Sequence, residues 1–399
     1  MLRSASGRAT AVVFMVSGIL TGTLSSRWPW LAGRLHLTSG VIGALGLAST
    51  VGALVTMPFA ARFVHRYGAR AATWVLTVAM GVTLVLPPFA PGIAVLTVIF
   101  VLMGAVIGVA DNAMNTAGVE AERKTRMTIM SGLHGMWSVG VLAGALAGSL
   151  AAQVGLDPRL QFAVMGGLIA VAGLASRPWL AGDPAVDSTT GGSAAETDVP
   201  KFVWPHGLVL LIGLVAFAAI FVEFAASSWA ALFMHWTLHT SQAVAALATA
   251  VFALAMAAGR LAGDYVVARV GAVRSVRVCG AAGTAGCLLV AVAPDTWLAL
   301  SGFVLIGLGV SVVVPLVFAA AGHLGPSPAV GVAGVATISY GAGLAAPSMM
   351  GGVADISSLR VAFGLAALIA VAIGAGAGLL GRTTPAEAVL APAEAGSEG

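Results

Sequence analysis

Of the fifteen acidic residues in this chain, only Asp111 and Glu223 fall well inside long apolar runs. A carboxyl surrounded by hydrocarbon is costly, so one that is kept marks an ion or proton pathway or a fixed partner. Glu223, near the middle of its run, is the first candidate for a proton carrier whose occupancy depends on which side of a membrane it faces. Asp111 begins a polar cluster with Asn112 and Asn115, six residues before its run ends, and His134 lies seven residues after the next run begins. Antiparallel neighbours would set Asp111 and His134 at similar depth, able to share a proton, hold a solute hydroxyl or satisfy each other. Ser131, Trp137 and Ser138 extend this streak.

Arg27, followed by Trp28, Pro29 and Trp30, sits toward the outer end of the first run. Its long side chain is expected either to reach Glu223, about a turn and a half deeper, and so form a gate, or to snorkel to the interface. Tyr340, between Ser339 and Gly341, needs a partner for its hydroxyl. His235 and His239 have the i, i+4 spacing of metal ligands, but no third ligand is near in sequence, so the reading is interfacial histidines and no metal. Cys279 and Cys287 lie about 12 Å apart by helical rise, too far for a disulfide, and read as buried thiols. No HExxH or G-x-S-x-G pattern supplies the nucleophile, base or metal of an enzyme, and no cofactor is expected.

The elements that must hold these residues follow from composition. The 399 residues are 59% hydrophobic and 9% charged, with a mean hydropathy of +1.00, too few polar groups to cover a water-soluble domain. Apolar runs near the ~20 residues that cross a bilayer predict an all-α membrane protein. Twelve spans are expected: 10–32, 40–63, 71–90, 93–117, 127–152, 160–180, 206–235, 242–268, 275–293, 297–321, 329–352 and 360–380. Residues 182–203, rich in Asp, Gly, Glu and Pro, read as a cytoplasmic linker between six-helix bundles at 1–181 and 204–382, and 383–399 as a disordered cytoplasmic tail.

The halves repeat. Ser25, Ser26, Thr38 and Ser39 return 202 positions later as Ser227, Ser228, Thr240 and Ser241, while Arg66, Gly68 and Ala69 return as Arg269, Gly271 and Ala272 after one further residue of slip. A doubled helical bundle suits a two-lobed transporter, and the copy of the first run in mid-chain argues against its being a cleaved signal. Of nineteen basic residues, only Arg27, Arg34, Arg159 and Arg360 fall on the side away from the linker, an asymmetry that predicts both termini in the cytoplasm and no nucleic-acid partner. Gly140, Gly144 and Gly148 recur every fourth residue; they and the glycines around Pro347, which predicts a kink, suit either close packing within a bundle or sliding between bundles.

Two loops carry a further signal. The first reads Ala61, Arg62, Phe63, Val64, His65, Arg66, Tyr67, Gly68, Ala69, Arg70, and the second Gly259, Arg260, Leu261, Ala262, Gly263, Asp264, then Arg269, Gly271 and Arg274. The first resembles the signature loop between helices 2 and 3 of the major facilitator superfamily (MFS). Within it, Ser26-Arg27-Trp28-Pro29, Asp111-Asn112-Ala113-Met114-Asn115, His134-Gly135, Glu223 with Trp229, and Tyr340-Gly341 with Pro347 resemble the bacterial branch related to fucose permeases. The resemblance implies proton-coupled uptake, with Glu223, Asp111 and His134 in proton coupling and Arg27, Trp28, Asn112, Asn115, Trp137, Trp229 and Tyr340 around the solute. His65 and Ala61 stand where the family loop has an acid and a glycine, and Ser228 where relatives often carry an aspartate. The fourth helix lacks the arginine, and the fifth the Gly-Pro pair, of drug/proton antiporters.

The expected protein is thus a monomeric proton symporter of a sugar-like or other small metabolite in the bacterial inner membrane, its partners being solute, protons and lipid. Export of an amphipathic compound is the alternative, and a membrane-embedded enzyme or scaffold a distant one.

Overall fold

The computed structural model describes residues 4–125, 129–180, 207–324 and 328–382; the expected linker and tail lie outside the described residues. Every regular element among those residues is helical. The first half comprises α1 (Ala5–Ser26), α2 (Trp28–Leu35), α3 (Ser39–Tyr67), α4 (Ala69–Val85), α5 (Ile93–Thr125), α6 (Met130–Gln153) and α7 (Pro158–Ser176). The second comprises α8 (Gly207–Leu232), α9 (Gln242–Val270), α10 (Ala272–Val292), α11 (Thr296–Val310), α12 (Val313–Ala321), α13 (Pro328–Ile356) and α14 (Leu359–Leu380). Among the described residues eleven helical stretches are long and apolar enough to cross a membrane, and α13, 29 residues long, packs against both α8 and α3.

Three predicted spans are not single α-helices. The first breaks at Arg27, where Pro29 suits the opening turn of α2 because that turn needs no N–H from it. The tenth is divided between α11 and α12. The seventh ends in a π-helical turn, Phe233–Thr237, which holds one residue more than an α turn. That extra residue places the slip earlier than the sequence repeat does: Ser26 and Ser228 are 202 positions apart, but beyond the turn Thr38 matches Ser241, not Thr240, at 203. Thr38 caps α3 by accepting from the Val41 N–H, and Ser241 caps α9 by accepting from the Val244 N–H.

Within the first half, α1 and α6 meet backbone to backbone. A Cβ at Gly18 or Gly22 would run into the carbonyl of Trp137 or Val141, and one at Gly140 or Gly144 into that of Met15 or Ile19. Gly148 faces the Ser26 hydroxyl. These glycines therefore serve close packing, which in lipid supplies dispersion contact where no hydrophobic drive exists between helices.

Between the halves, α3 lies on α13 and α6 on α9. Gly43 packs on Gly351, and Gly46 on the ring of Pro347. A proline inside a helix leaves the carbonyl four residues earlier without its donor. Here that carbonyl belongs to Gly343, and the Thr50 hydroxyl of the opposite half donates to it at 3.0 Å. Nearby, Asp355 Oδ1 accepts from the Gly40 N–H at 3.1 Å, and Ser149 donates to the Ala243 carbonyl at 2.8 Å. The Gly40–Asp355 and Ser149–Ala243 contacts lie at the helix ends remote from the linker, here termed the far face, and the Thr50–Gly343 bond lies between them and mid-helix. Toward the linker face, Val55 and Phe59 of α3 and Tyr340 of α13 are exposed. The halves close at the far face and diverge toward the linker face.

Candidate solute and proton site

The site is built around Arg260. Its Nη2 lies 3.3 Å from Glu223 Oε1, joining α9 to α8, and its Nη1 donates to the Ser138 hydroxyl at 2.8 Å, joining α9 to α6 of the first half. The Arg260 and Glu223 side chains are 16% and 17% exposed, so the pair is shielded without being sealed. Sequence alone puts Arg260 among the basic residues of the linker face; that placement is wrong. The helix runs on to Val270, so Arg260 stands ten residues, about 15 Å of rise, before its end. A basic residue eight positions inside the predicted span 242–268 was the available signal.

The predicted contact between Arg27 and Glu223 does not form. In the repeat Arg27 corresponds to Trp229, six residues and about 9 Å along the helix from Glu223. Arg260 reaches the carboxylate instead. Arg27 is 2% exposed, donates from Nε to Gln161 Oε1 at 2.5 Å, and from Nη1 to Gln242 Oε1 of α9 at 3.5 Å.

Asp111 and His134 do not form an ion pair, because α5 and α6 touch only slightly. Asp111 is exposed. Its backbone carbonyl accepts from the Asn115 amide at 2.8 Å, and Tyr340 on α13 is 47% exposed. Asn112 and Asn115 are half-buried beside it. His134 is exposed, its ring edge-on to Phe14 at 5.3 Å. Ser138, which Arg260 grips, also donates to the His134 carbonyl at 3.4 Å. The structure thus gathers Ser138, Arg260 and Glu223 into one chain of side-chain contacts, with His134 one turn before Ser138 on α6.

Three tryptophans fare differently. Trp229 is 1% exposed and Trp28 5%, the latter packed on Phe100, so neither faces the opening in this conformation; Trp137 is half-buried. Among the described residues no three His, Cys, Asp or Glu side chains converge to hold a metal, and His235 Nδ1 lies 2.7 Å from the Thr240 carbonyl.

This doubled helical arrangement with a polar centre has known counterparts, and the sequence matches the Major Facilitator Superfamily over residues 10–345. The chain belongs to the Major Facilitator Superfamily. It is 32% identical to the Uncharacterized transporter y4wD of Sinorhizobium fredii, over 84% of this chain and 87% of the relative. It is also 32% identical to an uncharacterized MFS-type transporter of Yersinia pestis, over 84% and 86%. Membrane protein MosC of Rhizobium meliloti is 26% identical over 83% and 79%. Among solved structures, the nucleoside transporter NupG superposes with a TM-score of 0.71 at 13% identity, covering 95% of this chain and 98% of that one. A bacterial homolog of the human lysosomal transporter Spinster, inward-facing and occupied, gives 0.72 at 15% identity, covering 95% and 96%.

The superfamily loop is reproduced in the backbone of both halves. Gly68 and Gly271 adopt φ of 80° and 85°, a region that favours glycine, and each joins two helices without a spacer. Arg70 donates to the Arg177 carbonyl at 2.8 Å, Arg66 lies over Tyr67, and Arg269 lies 3.9 Å over the Tyr265 ring. Arg62 and Arg274 are exposed. The side chains of His65, Asp264 and Ser131 lie outside the described set.

Proposed function

We propose that this MFS protein is a secondary transporter that moves a small organic solute by alternating access, with Glu223 carrying a coupling proton. The observation that carries this reading is the double attachment of Arg260, to Glu223 within its own half and to Ser138 across the interface. While Glu223 is ionised it holds the guanidinium in place. A proton on Glu223 removes that charge, and Arg260 then redistributes between Ser138 and the solute, so the grip between the two halves responds to protonation. His134, exposed beside this chain, offers a second proton station, and Asp111, Asn112, Asn115 and Tyr340 border the opening where a solute with hydroxyls would lie.

The excess of Arg and Lys on the linker face supports a cytoplasmic placement for that face and for both termini. The fucose-permease-like stretches support a sugar-like or similarly small metabolite. The decisive experiment is reconstitution in proteoliposomes with an imposed pH gradient, a pH dye inside and a solute panel outside. The Glu223→Gln variant is expected to lose accumulation against a gradient yet retain counterflow exchange. Accumulation by Glu223→Gln equal to that of the wild type would refute the coupling role.

A further inference from the structure

Arg27 is a buried cation without a counter-charge. Both groups that accept its hydrogen bonds, the Gln161 and Gln242 amides, are neutral, and Nη2 is buried with no hydrogen-bond partner. Among the described residues no carboxylate lies within ion-pair distance of it. A guanidinium stays charged at any physiological pH, so holding one dry and unpaired is expensive and implies a partner that arrives during the working cycle.

The surroundings indicate what that partner is. At the far face a cavity of about 420 Å³ is lined by Arg27, Trp30, Asp157, Arg159 and Gln242, among others. Asp157 is already engaged, accepting from the Arg159 N–H at 2.7 Å where α7 starts. Gln242 opens α9 and belongs to the opposite half, so its bond to Arg27 must part whenever the far face opens. Its departure releases Nη1 next to the already unpartnered Nη2. Two adjacent N–H donors on a rigid planar fork match the two oxygens of a carboxylate. Asp157 and Arg159 in the same lining offset each other in charge, so Arg27 leaves the cavity with a net positive potential, and Trp30, with Arg34 5.8 Å over its ring, forms part of the wall.

We propose that the transported solute is a small organic carboxylate and that Arg27 receives its carboxyl group when the far face opens. This rests on the transport reading above and names the class of solute. In the closed state Gln161 and Gln242 act as placeholders for the anion, and loss of the Gln242 bond is the event that makes the site competent.

The test is ligand-induced thermal stabilisation of the purified protein in detergent at constant ionic strength. The probes are lactate, gluconate and benzoate, their neutral counterparts are glycerol, glucose and benzamide, and chloride is the reference anion. At least one carboxylate is expected to stabilise the wild type while its neutral counterpart and chloride do not. Gln242→Ala should then bind that carboxylate at least threefold more tightly, and Arg27→Gln at least tenfold more weakly. If Arg27→Gln does not fold, Arg27→Lys takes its place, with an expected loss of at least threefold because an ammonium cannot offer the fork. Equal stabilisation by neutral counterparts, no carboxylate response in Gln242→Ala, or an unchanged response in the Arg27 variant overturns the proposal. Binding is measured without a gradient, so failure here leaves the Glu223 coupling test untouched, and failure of that test leaves this one standing.

Discussion

Gly68 and Gly271 share nearly the same backbone angles, φ 80° and ψ 148° against φ 85° and ψ 154°, and His36 and His239, likewise 203 positions apart, are both left-handed at φ 50° and 54°. The chemistry at matching places is unlike. Glu223 corresponds to Thr21, Arg260 to Met57, and Trp229 to Arg27. The second half holds a compensated ion pair near mid-membrane, whereas the first holds a lone guanidinium near its outer end. Duplication preserved the turns, caps and helix lengths that build a lobe, because each is set by local sterics and by hydrogen bonds that any copy must satisfy. It left free individual interior side chains such as Glu223, Arg260 and Arg27, whose polar contacts the lobe's backbone does not dictate.

The largest effect expected from breaking that contrast is at Arg260. Arg260→Ala strands the Glu223 carboxylate and releases Ser138. It should abolish uphill transport in proteoliposomes and lower stability by about 2 kcal/mol, below the ~3–5 kcal/mol for a fully buried pair because this one is partly wet. Met57→Ala, at the matching place, should leave uphill transport intact; its loss there would mean that the asymmetry is not functional. Next come the shared turns. Gly68→Ala and Gly271→Ala should each cost about 1–2 kcal/mol in thermal unfolding, because alanine resists positive φ. Clearly unequal losses would contradict the common backbone.

Smaller effects probe the far-face seam. Thr50→Val removes the donor to the Gly343 carbonyl, and Ala253 holds the corresponding place in the second half. The variant should favour far-face opening by about 1 kcal/mol, roughly fivefold, read as faster labelling of a Trp30→Cys reporter by an impermeant maleimide. Asp355→Asn weakens a charge-assisted bond at an exposed helix end and should change the same labelling rate by about 0.5 kcal/mol or less. Slower labelling in either variant would mean that these contacts do not hold the far face closed.

Much of this architecture was legible beforehand. Hydropathy located the spans, the repeat implied two copies of one unit, and the loop glycines announced their turns. Side-chain reach was harder to read. The apolar run over 10–32 is continuous, so only Pro29 hinted that the helix stops at Ser26 and restarts at Trp28. Asp111 and His134 share a depth only if their helices end where hydropathy falls off; α5 runs on to Thr125, which leaves Asp111 fourteen residues from the linker-side end while His134 stands four residues into α6, and the two helices barely touch. Arg260 was hidden by its place in a loop-like motif, although its position inside a predicted span signalled a membrane-buried charge. The one-residue slip was visible in the sequence; its cause, a π turn, needed backbone geometry.

The hydrogen bond from Thr50 to the Gly343 carbonyl exists because Pro347 cannot supply a donor. In the proposed cycle, opening of the far face takes the Thr50 hydroxyl away from that oxygen, and the vacancy must be filled by water flowing into the widening cleft. Hydration therefore becomes part of the opening step, and a dry apolar plug lodged beside Pro347 would hold the transporter shut without touching Glu223, Arg260 or Arg27.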